Sequence, residues 1–266
     1  MIVLKIGGSI LEYVNPSLIN EIKDFASRKE IVLVHGGGDE VTNIASKLGK
    51  EQKFVTSPQG IRSRYTDEET AMIYTMVMSG KINKEIVSTL QKNGVNAIGL
   101  SGIDGSLLKA QRKKKLMIID ERGRKRIIDG GYTGKITIVN SELLKLLIDN
   151  GYIPVISPVA IGDEYELLNV DGDRACAYVA GALKADYAIF LTDVEGVIID
   201  GKLIRMMSMK EAEEKMKKIG AGMITKVLAS IEAVRMGAKK AIICSAKKEN
   251  VLDHALKGVS GTCITP

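Results

Sequence analysis

Met1-Ile2-Val3-Leu4-Lys5-Ile6-Gly7-Gly8 and Ile31-Val32-Leu33-Val34-His35-Gly36-Gly37-Gly38 decide the fold. Each is a short apolar run that ends on glycines, the pattern of a strand buried on both faces and then turned sharply. Between them Asn15-Pro16 offers an N-cap and a proline at the first helical position. Together they predict a βαβ unit, since parallel strands need a helical crossover.

The alternation continues to the other end of the chain. Helices are predicted from the glycines at 36–38 to Gly49, from Asp67 to Asn93, from Ser141 to Asn150, after Asp171, after the Ser208/Glu211 capping box, and over 225–236 and 250–256. Strands are predicted at 96–100, 153–157, 187–191, 240–244 and 262–265, with a hairpin over 116–128 turning at Gly123. The class is α/β, with a mainly parallel sheet covered by helices on both faces. No Pro/Ser-rich linker interrupts the pattern, so two lobes sharing one sheet are expected rather than two beads.

Two common phosphate loops fail. Gly134-Lys135 has Asp129 where a Walker motif needs its first glycine and Ile136 where it needs Ser or Thr, and no dinucleotide-type glycine fingerprint occurs. What remains is a pair of glycine-terminated strands. Taken singly, either Gly-Gly is a tight turn. Side by side at the carboxyl ends of parallel strands, they offer backbone N–H groups and helix N-termini to two anions. Lys5, just before the first pair, would aim an ammonium at a transferring phosphoryl group. Downstream, Asn169-Val170-Asp171-Gly172-Asp173 and Gly222-Met223-Ile224-Thr225-Lys226 add an amide, two carboxylates and a second lysine before helices. Each taken alone reads as a cap or a solvated lysine.

The blocks Lys5-Ile6-Gly7-Gly8, Val34-His35-Gly36-Gly37-Gly38, Asn169 to Asp173, Leu191-Thr192-Asp193-Val194-Glu195-Gly196 and Gly222 to Lys226 resemble, in order and spacing, the amino-acid kinase family. The likeness covers essentially the whole chain and leans to the N-acetylglutamate kinase branch. It implies a three-layer αβα sandwich with an acceptor lobe at 1–168, which also pairs the chain into a homodimer, and an ATP lobe at 169–266. It further implies that Lys5 and Lys226 stabilise the transition state while Asp173 orients both. Gly36, Gly37, Gly38, Asn169 and an arginine would hold the acceptor, and Gly7, Gly8, Thr192, Asp193 and Gly196 the nucleotide, with ATP and Mg2+ as cosubstrates. A carboxylate acceptor needs no general base, in keeping with only two histidines, and His35 reads as a loop-shaping residue. The chain itself offers no metal-ligand constellation.

Where N-acetylglutamate kinases carry Gly-Leu-Arg-Val-Thr, this chain has Gly60-Ile61-Arg62-Ser63-Arg64-Tyr65-Thr66. That departure resembles the lysine-biosynthetic branch, whose kinases act on aminoadipate or glutamate attached to the small acidic carrier protein LysW. Arg62 is then the expected acceptor clamp, with Arg64 the second candidate. Nine basic and two acidic residues between Lys109 and Arg126 give a local charge of +7 in a chain of net +6. Charge runs are usually solvated surface, but an acidic carrier would be drawn to Lys113, Lys114, Lys115, Arg124, Lys125 and Arg126. Free N-acetylglutamate kinase is the alternative within the family. An idle metabolite sensor or a nucleic-acid binder is the alternative of another class, the latter weakened by 4% aromatics and no tryptophan. No membrane segment or nucleic-acid partner is expected. Three scattered cysteines without a C-x-x-C pair, and a start unlike a signal peptide, suggest the cytoplasm.

Overall fold

The computed structural model describes residues 1–7 and 16–266. Gly8 and Asn15, both assigned roles above, lie outside the described residues.

Among the described residues, eight strands form one sheet in the order Met206–Ser208, Thr262–Thr265, Lys240–Ser245, Tyr187–Thr192, Ile2–Ile6, Ile31–His35, Ile153–Ser157, Ala97–Ser101. The last six in that order run parallel, and the first two run against them. From Ile2–Ile6 the chain steps to Ile31–His35 on one side, and Tyr187–Thr192 closes on the other. Its carboxyl end, next to Lys5, is therefore the point where the winding reverses, where open α/β sheets hold ligands.

Alternate residues of one strand feed two cores. Val3, Val32 and Val34 pack with the helices Gly172–Ala182 and Ala221–Arg235, while Ile2, Leu4, Ile31 and Leu33 pack with Pro16–Ser27, Gly38–Lys47 and Asn83–Lys92. Helices on both faces make the three-layer α/β sandwich that the apolar strands demand. No helix among the described residues is long and apolar enough to cross a membrane.

Two helices differ from expectation. The predicted helix over 67–93 is broken by a π-helical stretch, Met76–Ile82, between Glu68–Thr75 and Asn83–Lys92. The widened turn seats Met78 and Ile82 against Gly37, which has φ +151° and whose added Cβ would overlap Ile82 Cδ1. The helix expected from Thr225 starts at Ala221, because Gly222 reads as a breaker yet lies inside the first turn.

Small sheets carry the rest. Leu108–Arg112 pairs with Gly134–Val139, and Val159–Ile161 joins it to Leu167–Asn169. The basic ribbon, Lys115–Ile119 with Lys125–Asp129, turns at Gly123 as expected. Its strand also pairs with Phe54–Thr56, which in turn pairs with the arginine strand Arg62–Arg64. Apart from the ribbon, these short segments lacked a long apolar run and were not predictable as strands.

Candidate active site

Asp173 stands in the first turn of Gly172–Ala182, whose N-cap Asp171 accepts a hydrogen bond from the Arg174 N–H at 2.9 Å. Its carboxylate is 6% exposed and meets two cations. Lys5 Nζ, from the central strand, lies 3.0 Å from Oδ1, and Lys226 Nζ, from the helix Ala221–Arg235, donates to Oδ2 at 3.1 Å. Burial disfavours the charge on Lys5, but Asp173 outweighs it and holds the ammonium above its ordinary pKa. Burial likewise disfavours the Asp173 carboxylate, and the two lysines overcome it and hold its pKa below the usual range.

Lys5 and Asp173 open onto a cavity of about 550 Å3. Gly36, Gly37 and Gly38 line it, and Gly38 starts one helix as Gly172 starts another, so two helix N-termini reach the same space. Asn169 lines it too, its Nδ2 donating to the buried Thr66 hydroxyl at 2.9 Å. The cavity is thus built for anions.

The two arginines separate. Both lie on one face of their strand, with the Phe54 ring 4.3 Å from the Arg62 guanidinium and 5.0 Å from that of Arg64. Arg64 is buried and spends its donors on the fold: Nη2 bonds the Gly38 carbonyl at 2.7 Å and Thr42 Oγ1 at 2.9 Å, and Nη1 bonds Gln52 Oε1. Arg62 is exposed to the cavity and has no carboxylate partner among the described residues. Arg64 therefore braces the glycine loop, and Arg62 is the arginine placed to meet a ligand.

His35 is wholly buried and shapes that loop. Its Nδ1 lies 3.0 Å from the Gly36 carbonyl and its Nε2 3.2 Å from Asn83 Nδ2, which also donates to the Val155 carbonyl at 2.9 Å. These partners suit a neutral ring with the proton on Nδ1. Burial, opposed by the Gly36 contact and aided by the charge of Lys5, brings its pKa down to about 4.

The residues expected at the nucleotide lie on the other side of the Lys5 strand. Thr192 ends Tyr187–Thr192 two residues past Phe190, the partner of Lys5, and its hydroxyl donates to Asp193 at 3.1 Å. Gly196 follows at φ +157°, where a Cβ would crowd Thr262 Oγ1. These three and Gly7 are not among the residues lining the cavity. On the ribbon, Lys114, Lys115 and Lys125 point to solvent, while Arg124 and Arg126 both pair with Asp120, at 3.1 and 2.9 Å. Lys113 departs from that group and lines the cavity. Sequence reasoning also passed over Phe54, Tyr74 and Arg174 in the cavity wall. Only Arg174, directly after Asp173, gave a signal.

The amino acid kinase family model matches residues 1–245. A protein of Cenarchaeum symbiosum named a putative LysW-aminoadipate/LysW-glutamate kinase is 57% identical over 99% of both chains. One of Sulfolobus acidocaldarius, named a LysW-aminoadipate/LysW-glutamate kinase, is 49% identical over 99% of this chain and 100% of its own. Among solved structures, a Streptococcus mutans protein superposes with a TM-score of 0.81 at 24% identity, covering 99% of this chain and 98% of that one.

The buried neutral histidine gives a pH dependence. Between pH 6.5 and about 4 the unfolded chain takes up a proton at His35 that the folded chain refuses. Its contribution is therefore full above pH 6.5 and falls as pH drops through that window, by about 3 kcal/mol. Urea unfolding at pH 7, 5.5 and 4.5 should show a steeper acid loss for the wild type than for His35→Gln. Parallel profiles would show that the ring does not carry the effect.

Proposed function

The chain belongs to the amino acid kinase family, and we propose that it phosphorylates the side-chain carboxylate of α-aminoadipate, and of glutamate, carried on LysW, with ATP as donor. The observation that carries the reading is Asp173 between Lys5 and Lys226, on the wall of a cavity that presents Arg62, Asn169 and the glycine loop. Relatives of that name match over their full length.

The chemistry follows from the charges. The acceptor carboxylate is ionised at pH 7, so one of its oxygens attacks the γ-phosphorus directly. The bond from that phosphorus to the ADP oxygen breaks, and the products are an acyl phosphate and ADP with no proton transferred. The obstacle is repulsion between anions. Lys5 and Lys226 counter it, their ammoniums held ready by Asp173 for the equatorial oxygens of the transferring group. Arg62 and Asn169 hold the acceptor's other carboxylate, and the Gly36 to Gly38 backbone holds the reacting end. Among the described residues no cluster of three or more His, Cys, Asp or Glu could cage a metal. In this reading Mg2+ arrives with the nucleotide phosphates, as part of the substrate.

Residues 1–168 form the acceptor lobe in this reading and 169–266 the ATP lobe, with Gly7, Thr192, Asp193 and Gly196 around the nucleotide. The ribbon supplies the carrier contact: Lys114, Lys115 and Lys125 face outward, and its strand is joined through Phe54–Thr56 to the strand bearing Arg62. A carrier bound there would deliver its cargo to the cavity. Free N-acetylglutamate as the acceptor is the weaker reading, because the arginine segment departs from that branch. A reducing cytoplasm suits the three free cysteines. A homodimer paired through the acceptor lobe belongs to this reading, and Met72 and Met76, one helical turn apart and each 55% exposed, are apolar surface there for a second copy to cover.

A monomer in sedimentation would remove the dimer. The reaction itself is tested by trapping acyl phosphate with hydroxylamine, using MgATP and three acceptors: LysW-aminoadipate, LysW-glutamate and free N-acetylglutamate. Turnover confined to the carrier-linked acceptors, lost in Lys5→Ala, is the expected result. Efficient turnover of free N-acetylglutamate would contradict it.

A further inference from the structure

Among the described residues the proposed reaction leaves two cavity cations without an anion, the half-buried Lys113 and the solvent-exposed Lys135. Lys5 and Lys226 share Asp173, Arg64 is consumed by the glycine loop, and Arg174 is tied to Glu232 at 2.6 Å. Arg62 is assigned to the acceptor's second carboxylate. Lys113 also lines the cavity, and no carboxylate lies within ion-pair distance of it among the described residues.

Its inward position is built by the backbone. Leu108–Arg112 alternates buried and exposed residues, and Lys113 breaks that rhythm at the junction with the ribbon. The Lys113 N–H donates to the Thr133 carbonyl at 2.9 Å, and the Gly130 N–H to the Lys114 carbonyl at 3.1 Å. A Cβ on Gly130 would overlap the Lys113 carbonyl oxygen, so glycine is required where the chains cross. Lys113 lies half-buried at that crossing, at the root of the ribbon.

The surroundings favour an incoming anion. Burial depresses the Lys113 ammonium; Arg174 and Lys135 depress it further, against the pull of Asp171 and Glu232. A partly desolvated ammonium among cations gains when a ligand carboxylate pairs with it. The ribbon root is also where an acceptor tethered to a ribbon-bound carrier would enter.

Resting on that functional reading, we infer that Lys113 forms a second anion subsite at the cavity mouth, taking a carboxylate borne by the acyl group on the acceptor's nitrogen. The kinase would thereby distinguish an acceptor N-acylated by a carboxylate-bearing group from one with a neutral cap.

The test uses two small probes, N-succinyl-aminoadipate and its neutral isostere N-succinamoyl-aminoadipate, with binding measured by calorimetry so that turnover is not needed. The wild type should bind the succinyl form about tenfold more tightly. Lys113→Met should erase that preference, Lys113→Arg should restore part of it, and Lys114→Met at the same salt should keep it. Equal binding in the wild type, binding of neither probe, or a preference that survives Lys113→Met would overturn the subsite. Failure of LysW-aminoadipate to be phosphorylated by the wild type would instead count against the proposed function, and the calorimetry would still decide the subsite.

Discussion

Two ammonium groups share one buried carboxylate, and the rest of the molecule is arranged to allow it. Lys5 comes from the central strand, Lys226 from the helix Ala221–Arg235, and Asp173 from the first turn of Gly172–Ala182. Without the carboxylate the lysines would repel across a small desolvated space, and one or both would turn to solvent. With it, the two lysines are held together, and the Lys5 ammonium is kept above its ordinary pKa. The arrangement leaves a net excess of one positive charge beside the cavity.

The glycine-loop wall of the cavity depends on a different kind of constraint, packing and hydrogen bonds rather than ion pairs. His35 is kept neutral by burial and fixes the Gly36 carbonyl, Asn83 fixes His35, and the π-helical turn presses Met78 and Ile82 on Gly37. Arg64 closes the far end by holding the Gly38 carbonyl. The loop is therefore held at every residue from 35 to 38, and its N–H groups need not be ordered when a ligand arrives. That rigidity is the physical reason for a buried histidine and a buried arginine beside a site that uses neither as an acid or base.

Much of this was legible in the sequence. Ile31–His35 and Ile153–Ser157 read as strands because each is buried on both faces and therefore apolar up to its last residue. The hairpin was legible from Gly123, and the loops from their glycines. The grouping of Lys5, Asp173 and Lys226 was legible only through resemblance, since 168 and 53 residues separate them from one another. What remained hidden depended on tertiary approach. Arg62 and Arg64 share charge and strand face, and only the tertiary partners of Arg64, in the helix Gly38–Lys47 and at Gln52, tell them apart. Lys113 sat in a run of four cations, Arg112 to Lys115, and nothing local marked it as the one turned inward. The cause is the crossing at Gly130, a contact between segments with no shared pattern. The π-helical turn was hidden likewise, because one extra residue in a turn leaves no compositional trace.

The central claim is that Asp173 acts by holding the two lysines in place for the transferring phosphoryl group. Asp173→Asn keeps the shape and removes the charge, so kcat and acceptor KM for this variant, measured with LysW-aminoadipate and saturating MgATP, test the claim most directly. A fall in kcat on the order of a hundredfold or more, with KM little changed, is the result expected if the lysines serve the transition state alone. A kcat within a few-fold of the wild type, at about the same KM, would contradict it.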